Sequence, residues 1–299
     1  MSSNSGTSRV VVIAAVVIGL AVGVGAALLL RPSSGGSDTR LPAATGDTTR
    51  DGDPDAAAEL PEPDPVTSAD QAEDPESAIR GFLAAEAIQD WDTSYTFLTQ
   101  SLKDVAYTTP ASWISQHADF PTVTGYRVDD IQVDEDAGTA RVLTLTGFDA
   151  KLDPVIGLVA ARGRTTWSLE QQDDGLWRVN TNGTENQPLY PNSEGASDAV
   201  RNWVDARVAC EDTSDLEAGL VGSPSQARLL CEEDQDDPVQ IEAIGPLTDS
   251  SDVATLLAQF GPDVFAWART ARVQATTPIV AVLAPIGQEW RVVGVLPAR

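Results

Sequence analysis

From Val10 to Leu30 the chain is apolar at every position, bounded by Arg9 and Arg31. As a helix, 21 residues span roughly 31 Å, enough to cross a hydrocarbon core about 30 Å thick. The pattern predicts a transmembrane helix over 10–30 behind a short cytoplasmic tail, 1–9. The run passes directly into Leu28, Leu29, Leu30 and Arg31 with no small-residue cleavage site, so it reads as an uncleaved anchor. Apolar residues then almost vanish: Pro32 to Glu73 is Ser, Gly, Asp, Thr and Pro with Leu41, Leu60 and Val66 as its few large apolar side chains. Such a segment cannot bury enough surface to fold alone, and 31–73 is expected to be a disordered, acidic, Pro-rich linker reaching on the order of 35 Å.

At Asp74 the pattern changes to helical spacing. Asp74 is a helix-capping residue followed by Pro75 and Glu76, and Ile79, Phe82, Leu83 and Ala87 then share one face. A second helix places Tyr95, Leu98 and Leu102 together. The period next falls to two, predicting strands at Tyr126 to Val133, Thr139 to Phe148, Arg164 to Gln171 and Leu176 to Asn180, joined by polar turns. The helix pattern returns as Val200, Trp203, Val204 and Val208, 121 residues after its first appearance, and Trp177-Arg178-Val179 has a counterpart in Trp290-Arg291-Val292. This is an internal repeat whose ends match and whose middles do not. Strands are expected in the second copy at Val239 to Ile244, Val264 to Thr276, Ile279 to Leu283 and Trp290 to Val295, and Thr181 to Ser197 as the connector. Helices followed by antiparallel strands define an α+β class, with domains at 74–181 and 196–299.

The stretch DPESAIRGFLAAEAIQDWDTSYTFLT, the strands after it and the closing DDGLWRV resemble the nuclear transport factor 2 superfamily. That resemblance implies two tandem cone-shaped domains, each with a curved antiparallel sheet wrapped around its helices. An anchor followed by two such domains is also similar in layout to the TcpC-like conjugation proteins of Gram-positive bacteria, which act as scaffolds.

Charge narrows the partners. With 45 acidic against 19 basic residues the formal net charge is −26, and nucleic acid and anionic lipid surfaces both need a basic footprint. Protein partners are expected, with membrane contact through 10–30 alone. Ala15, Gly19, Gly23 and Ala27 form a small-residue stripe that permits a homodimer through the membrane, although Gly and Ala are common in any anchor.

Chemistry is sparse. His117 is the single histidine, read as a surface or capping residue more readily than as an acid/base. No catalytic residue, metal site or cofactor is expected: the acidic clusters Asp129-Asp130, Asp134-Glu135-Asp136 and Glu232 to Asp237 lack the alternating ligand spacing of a calcium loop. Trp91, Tyr95, Trp113, Tyr126 and Trp167 can line a ligand cavity in the first cone or simply fill its core. Cys210 and Cys231 enclose a loop suited to a disulfide, which agrees with domains outside the membrane. Asn182-Gly183-Thr184 matches a glycosylation acceptor but also suits a turn. The reading is a non-enzymatic, membrane-anchored, extracytoplasmic scaffold of a bacterial envelope or secretion/conjugation system. The alternative is a small apolar ligand binder or ketosteroid-isomerase-like enzyme using the first cone.

Overall fold

The computed structural model describes residues 53–117, 120–153, 157–232, 238–248 and 251–298. The expected anchor at 10–30, with Ala15, Gly19, Gly23 and Ala27, lies outside them. No helix among the described residues is long and apolar enough to cross a membrane.

The chain is mixed α+β. Its first body opens with α1 (Pro75–Ala87), α2 (Trp91–Thr96), α3 (Gln100–Val105) and α4 (Pro110–His117). Asp74 accepts from the Ser77 backbone N–H at 2.7 Å and Ser77 Oγ reaches back to the Asp74 N–H, a reciprocal cap that sets where α1 starts. Strands β1 (Val123–Asp134), β2 (Thr139–Phe148), β5 (Arg162–Gln171) and β6 (Trp177–Leu189) form an antiparallel sheet in the order β1-β2-β5-β6. Even-numbered residues of β2, Ala140, Val142, Thr144 and Thr146, are buried towards the helices. The expected connector is shorter than the sequence suggested. β6 carries on through Thr181 to Leu189, with a register shift opposite Thr166 and Ser168, and α5 (Glu194–Val208) follows at once. Its Thr-Asn-Gly-Thr-Glu-Asn alternation is polar on both faces, which is why it reads as a loop.

Between β2 and β5 a short hairpin, β3 (Lys151–Asp153) with β4 (Gly157–Val159), leaves the first sheet. Leu158 enters a buried cluster with Leu256, Phe260, Val264 and Trp267 of the second half, and Leu152 and Tyr190 pack against it. A Cβ at Gly157 would lie 3.1 Å from the Phe260 carbonyl oxygen, so the hairpin sits directly on that chain.

The second body has α5, β7 (Glu217–Gly222), α6 (Pro224–Glu232), the two-residue strands β8 (Gln240–Ile241) and β9 (Gly245–Pro246), α7 (Ala254–Phe260), α8 (Val264–Trp267), β10 (Arg269–Gln274), β11 (Ile279–Ile286) and β12 (Glu289–Pro297). Its sheet runs β7-β12-β11-β10-β8. β7 pairs parallel to β12, so this sheet is not purely antiparallel. One face carries α5 and α6 through Val200, Trp203, Ala227 and Leu230; the other carries α7, α8 and the hairpin. Burial on both sides accounts for the near-continuous apolar run Trp290-Arg291-Val292-Val293-Gly294-Val295-Leu296. The expected strand from Val264 is corrected: its first four residues are α8, an apolar stretch too short for periodicity to separate helix from strand.

The linker expectation also needs correction over 53–73, which forms a strap on the first body. Asp53 and Asp55 take Arg164 at 2.7 and 2.6 Å, Ala56 packs on Leu145 and Leu189, and Arg162 Nε donates to the Ala58 carbonyl at 3.1 Å. Leu60 and Pro61 lie over the cross-strand pair Gly125 and Gly147, where a Cβ on Gly125 would come within 2.6 Å of the Pro61 carbonyl oxygen. The strap then passes the β1 edge, Asp64 meets Tyr126 Oη and Arg80, and Ala69 and Ala72 end in the first core. Proline content reads as disorder because it interrupts α-helix and sheet, yet Pro54 opens a 3-10 turn over Pro54–Ala57 and Ser68 caps another at Ala69–Gln71. Proline also lowers the entropy lost on docking, so a few apolar and ionic contacts suffice.

Candidate functional site

The interior of the first body collects most of the aromatic residues singled out from sequence. Trp113, Tyr126 and Trp167 are fully buried, while Trp91 and Tyr95 are partly buried at its rim. α4 places Trp113 and His117 four residues apart on one face, and their rings stack at 3.4 Å between centroids. Tyr107 meets Trp113 edge-on at 4.7 Å, and Phe82 lies between Trp113 and Trp167, at 6.4 and 5.6 Å. Polar ends are taken up: Trp113 Nε1 donates to Ser94 Oγ at 2.8 Å, Trp167 Nε1 to Thr144 Oγ1 at 2.9 Å, and Tyr95 Oη to the Tyr107 carbonyl at 2.9 Å.

Two titratable groups in this interior differ from what the sequence suggested. His117 is buried, not on the surface, and burial among Trp91, Tyr107, Trp113 and Phe120 pulls its pKa down to about 4. Glu86, on α1, is also buried, and burial pushes its carboxyl up to about 8, with the Ser94 hydroxyl acting weakly the other way. Glu86 Oε1 and His117 Nδ1 have no hydrogen-bond partner. Sequence reasoning passed over Glu86, yet it was findable, since Ile79, Phe82, Leu83 and Glu86 are at i, i+3, i+4 and i+7 of a single stripe.

Both groups are held uncharged at neutral pH, and this has a measurable result. Glu86 binds its proton more tightly folded than unfolded, so stability falls as pH rises from its unfolded value near 4.5 to about 8. His117 does the reverse between about 4 and its ordinary 6.5, where stability rises with pH. The two slopes oppose each other where they overlap, and above pH 6.5 only Glu86 acts. Urea unfolding should therefore lose about 2 kcal/mol between pH 6.5 and 8, and Glu86→Gln should flatten that fall.

The second body's main polar cluster is satisfied. Glu217 Oε1 accepts from Trp203 Nε1 at 2.7 Å, from Thr213 Oγ1 at 2.7 Å and from Nε and Nη2 of Arg207, tying α5 to β7. Cys210 and Cys231 form a disulfide between the chain just past α5 and the end of α6. Asp129 pairs with Arg127, Asp130 accepts from Gln132, and Asp134 caps the turn at Ala137. Of the third acidic cluster, 233–237 lie outside the described residues. Among the described residues no group of three or more His, Cys, Asp or Glu side chains is placed to hold a metal ion. Asn182 is exposed on β6, its N–H bonded to Asn180 Oδ1.

No protein-family model matches the chain, and no curated protein matches it. Among solved structures it is similar to the solution structure of a SEC-C motif containing protein from Rhodopseudomonas palustris, at 16% identity over 41% of this chain and 81% of that one, with a TM-score of 0.28. A likeness of that size bears on neither fold nor function.

Proposed function

We propose that this chain is a non-enzymatic, membrane-anchored, extracytoplasmic scaffold of a bacterial envelope or secretion/conjugation system. Its two bodies are tandem cone-like domains of the nuclear transport factor 2 kind, and protein partners are bound on their outer surfaces. The observation that carries this reading is the packed first interior: Phe82, Tyr107, Trp113, His117 and Trp167 contact one another where a carrier or enzyme needs open volume. The disulfide supports the extracytoplasmic placement. Ile88 and Val105, 65% and 84% exposed at the ends of α1 and α3, offer apolar contact outside.

The second reading, a binder of small apolar ligands or an isomerase-like enzyme, is favoured by the buried, unpartnered Glu86 Oε1 and His117 Nδ1. Photo-crosslinkers placed at Ile88 and Val105 in the source organism separate the two. Discrete protein adducts in the envelope fraction are expected. No adducts, together with saturable quenching of tryptophan fluorescence by a steroid or fatty-acid panel, would replace the scaffold with the binder. A membrane-impermeant thiol reagent should label Cys210 and Cys231 on intact cells only after reduction; labelling only after lysis would place the domains inside.

A further inference from the structure

The outer face of the first sheet carries a feature that scaffolding does not require. Arg162 and Arg164 project from β5 on that face and Arg80 from α1 beyond the β1 edge, and all three meet the strap in a chain with 19 basic residues against 45 acidic. From Arg164 to the β1 edge the floor is apolar: Leu145 and Leu189 lie under Ala56, and the Gly125–Gly147 pair lies under Leu60 and Pro61. Cβ atoms at the two glycines would reach to 3.2 and 3.0 Å from the Leu60 side chain, so only a surface without side chains admits it. Contacts recur along the strap at Asp53, Asp55, Leu60 and Asp64, a D-x-D-x4-L-P-x2-D pattern. Apart from Ala56, which is buried, the residues between them point outward or lie half-buried. The strap opens with a 3-10 turn over Pro54–Ala57, capped by Asp53, which accepts from the Asp55 N–H, and this turn sets both aspartates toward Arg164. Recognition by spaced side chains along a proline-bearing segment is how peptide grooves work, and proline keeps the ordering cost of the peptide low.

We propose that this face is a peptide-docking groove for an acidic, proline-containing segment of a partner protein, and that residues 53–64 are its built-in occupant, which the partner must displace. The strap is a tethered ligand at an effective concentration on the order of millimolar, so an incoming segment must exceed its affinity or be tethered as closely. Asp53, Asp55 and Asp64 make their ion pairs at partly exposed positions, which permits exchange. This inference stands apart from the scaffold reading, since a groove of this kind also suits a regulated binder.

The probe is a fluorescent synthetic peptide with the sequence of residues 53–64. The receiver is the full chain with 53–64 replaced by a Gly-Ser segment of equal length, its fold checked by circular dichroism. Fluorescence anisotropy should show binding at least tenfold tighter than to the unaltered chain, weakened by salt and lost on adding Arg164→Ala. A peptide with the three contact aspartates changed to asparagine should not bind. Absence of binding to the folded Gly-Ser chain, or equal binding with and without Arg164, overturns the proposal. Should that chain fail to fold, the unaltered chain labelled at Glu59→Cys decides: excess peptide must raise the mobility of the label, and an unchanged label overturns the proposal.

Discussion

Replacing Trp113 with alanine is expected to remove about 4 kcal/mol of stability, the upper part of the range for a large aromatic truncated in a core. Trp113 is fully buried, and three side chains pack on it: Phe82 of α1 on one edge, Tyr107 of the loop before α4 on another, and the ring of His117, on α4 itself, stacked on its face. Truncation opens a hole in the middle of these and leaves Ser94 Oγ without its indole donor. Trp113→Phe keeps most of the ring and should cost roughly half as much. Urea unfolding gives both values. A second readout follows from the histidine count of one. Water admitted beside His117 should raise its depressed pKa towards 6.5, and a proton titration followed by NMR reports one unambiguous signal. An unchanged pKa in the alanine variant would mean that the space had collapsed and stayed dry, with a stability loss near the low end, about 3 kcal/mol, instead.

How much of this was legible beforehand depends on what each residue was asked to reveal. Strand β2 falls on the expected bounds, Thr139–Phe148, because its alternation is flanked by a polar turn and buried on one face. Helix α1 announces itself by Asp74 and Pro75, and Ser77 completes its cap. What escaped were features whose meaning is non-local. Glu86 stands in the apolar stripe of α1, but a carboxylate at such a position ordinarily faces water, so the stripe alone does not mark it as buried. Arg164 gives no hint in β5 that its partners lie more than a hundred residues earlier, at Asp53 and Asp55. The Gly125–Gly147 pair marks a docking surface only once β1 and β2 are in register. Similarly, Lys151 to Val159 is an unremarkable loop in sequence, and its role appears when Leu158 is seen inside the second body's core. The apparent repeat was read from its ends, and the ends are where the two bodies agree: a helix carrying a buried Phe82 or Trp203, and a last strand beginning near Trp177 or Trp290. Their middles differ because the second sheet carries helices on both faces, while the first carries helices on one and the strap on the other.

Breaking the Cys210–Cys231 disulfide is the second large effect, and its size depends on whether the two bodies unfold together. The bridge closes a loop with a sequence separation of 21 residues, and releasing it should cost about 3 kcal/mol through the entropy regained by the unfolded chain. Reduction, or the Cys210→Ser, Cys231→Ser variant, should show this loss in urea unfolding. The thermal shift then distinguishes two cases. If the second body melts alone, about 100 residues share the loss and the midpoint falls by about 12–24 °C; if both bodies melt as one, the larger unit falls by about 6–12 °C. The β3–β4 hairpin favours the smaller shift, because Leu158 and Leu152 of the first half bury against Phe260, Leu256 and Trp267 of the second. Leu158→Ala should uncouple them. On that background a single melting transition becomes two, the disulfide acts on the upper or lower one alone, and reduction produces the larger shift. A single transition that persists in Leu158→Ala would mean that the covalent link and the remaining contacts, Tyr190 among them, are enough to hold the halves as one cooperative unit.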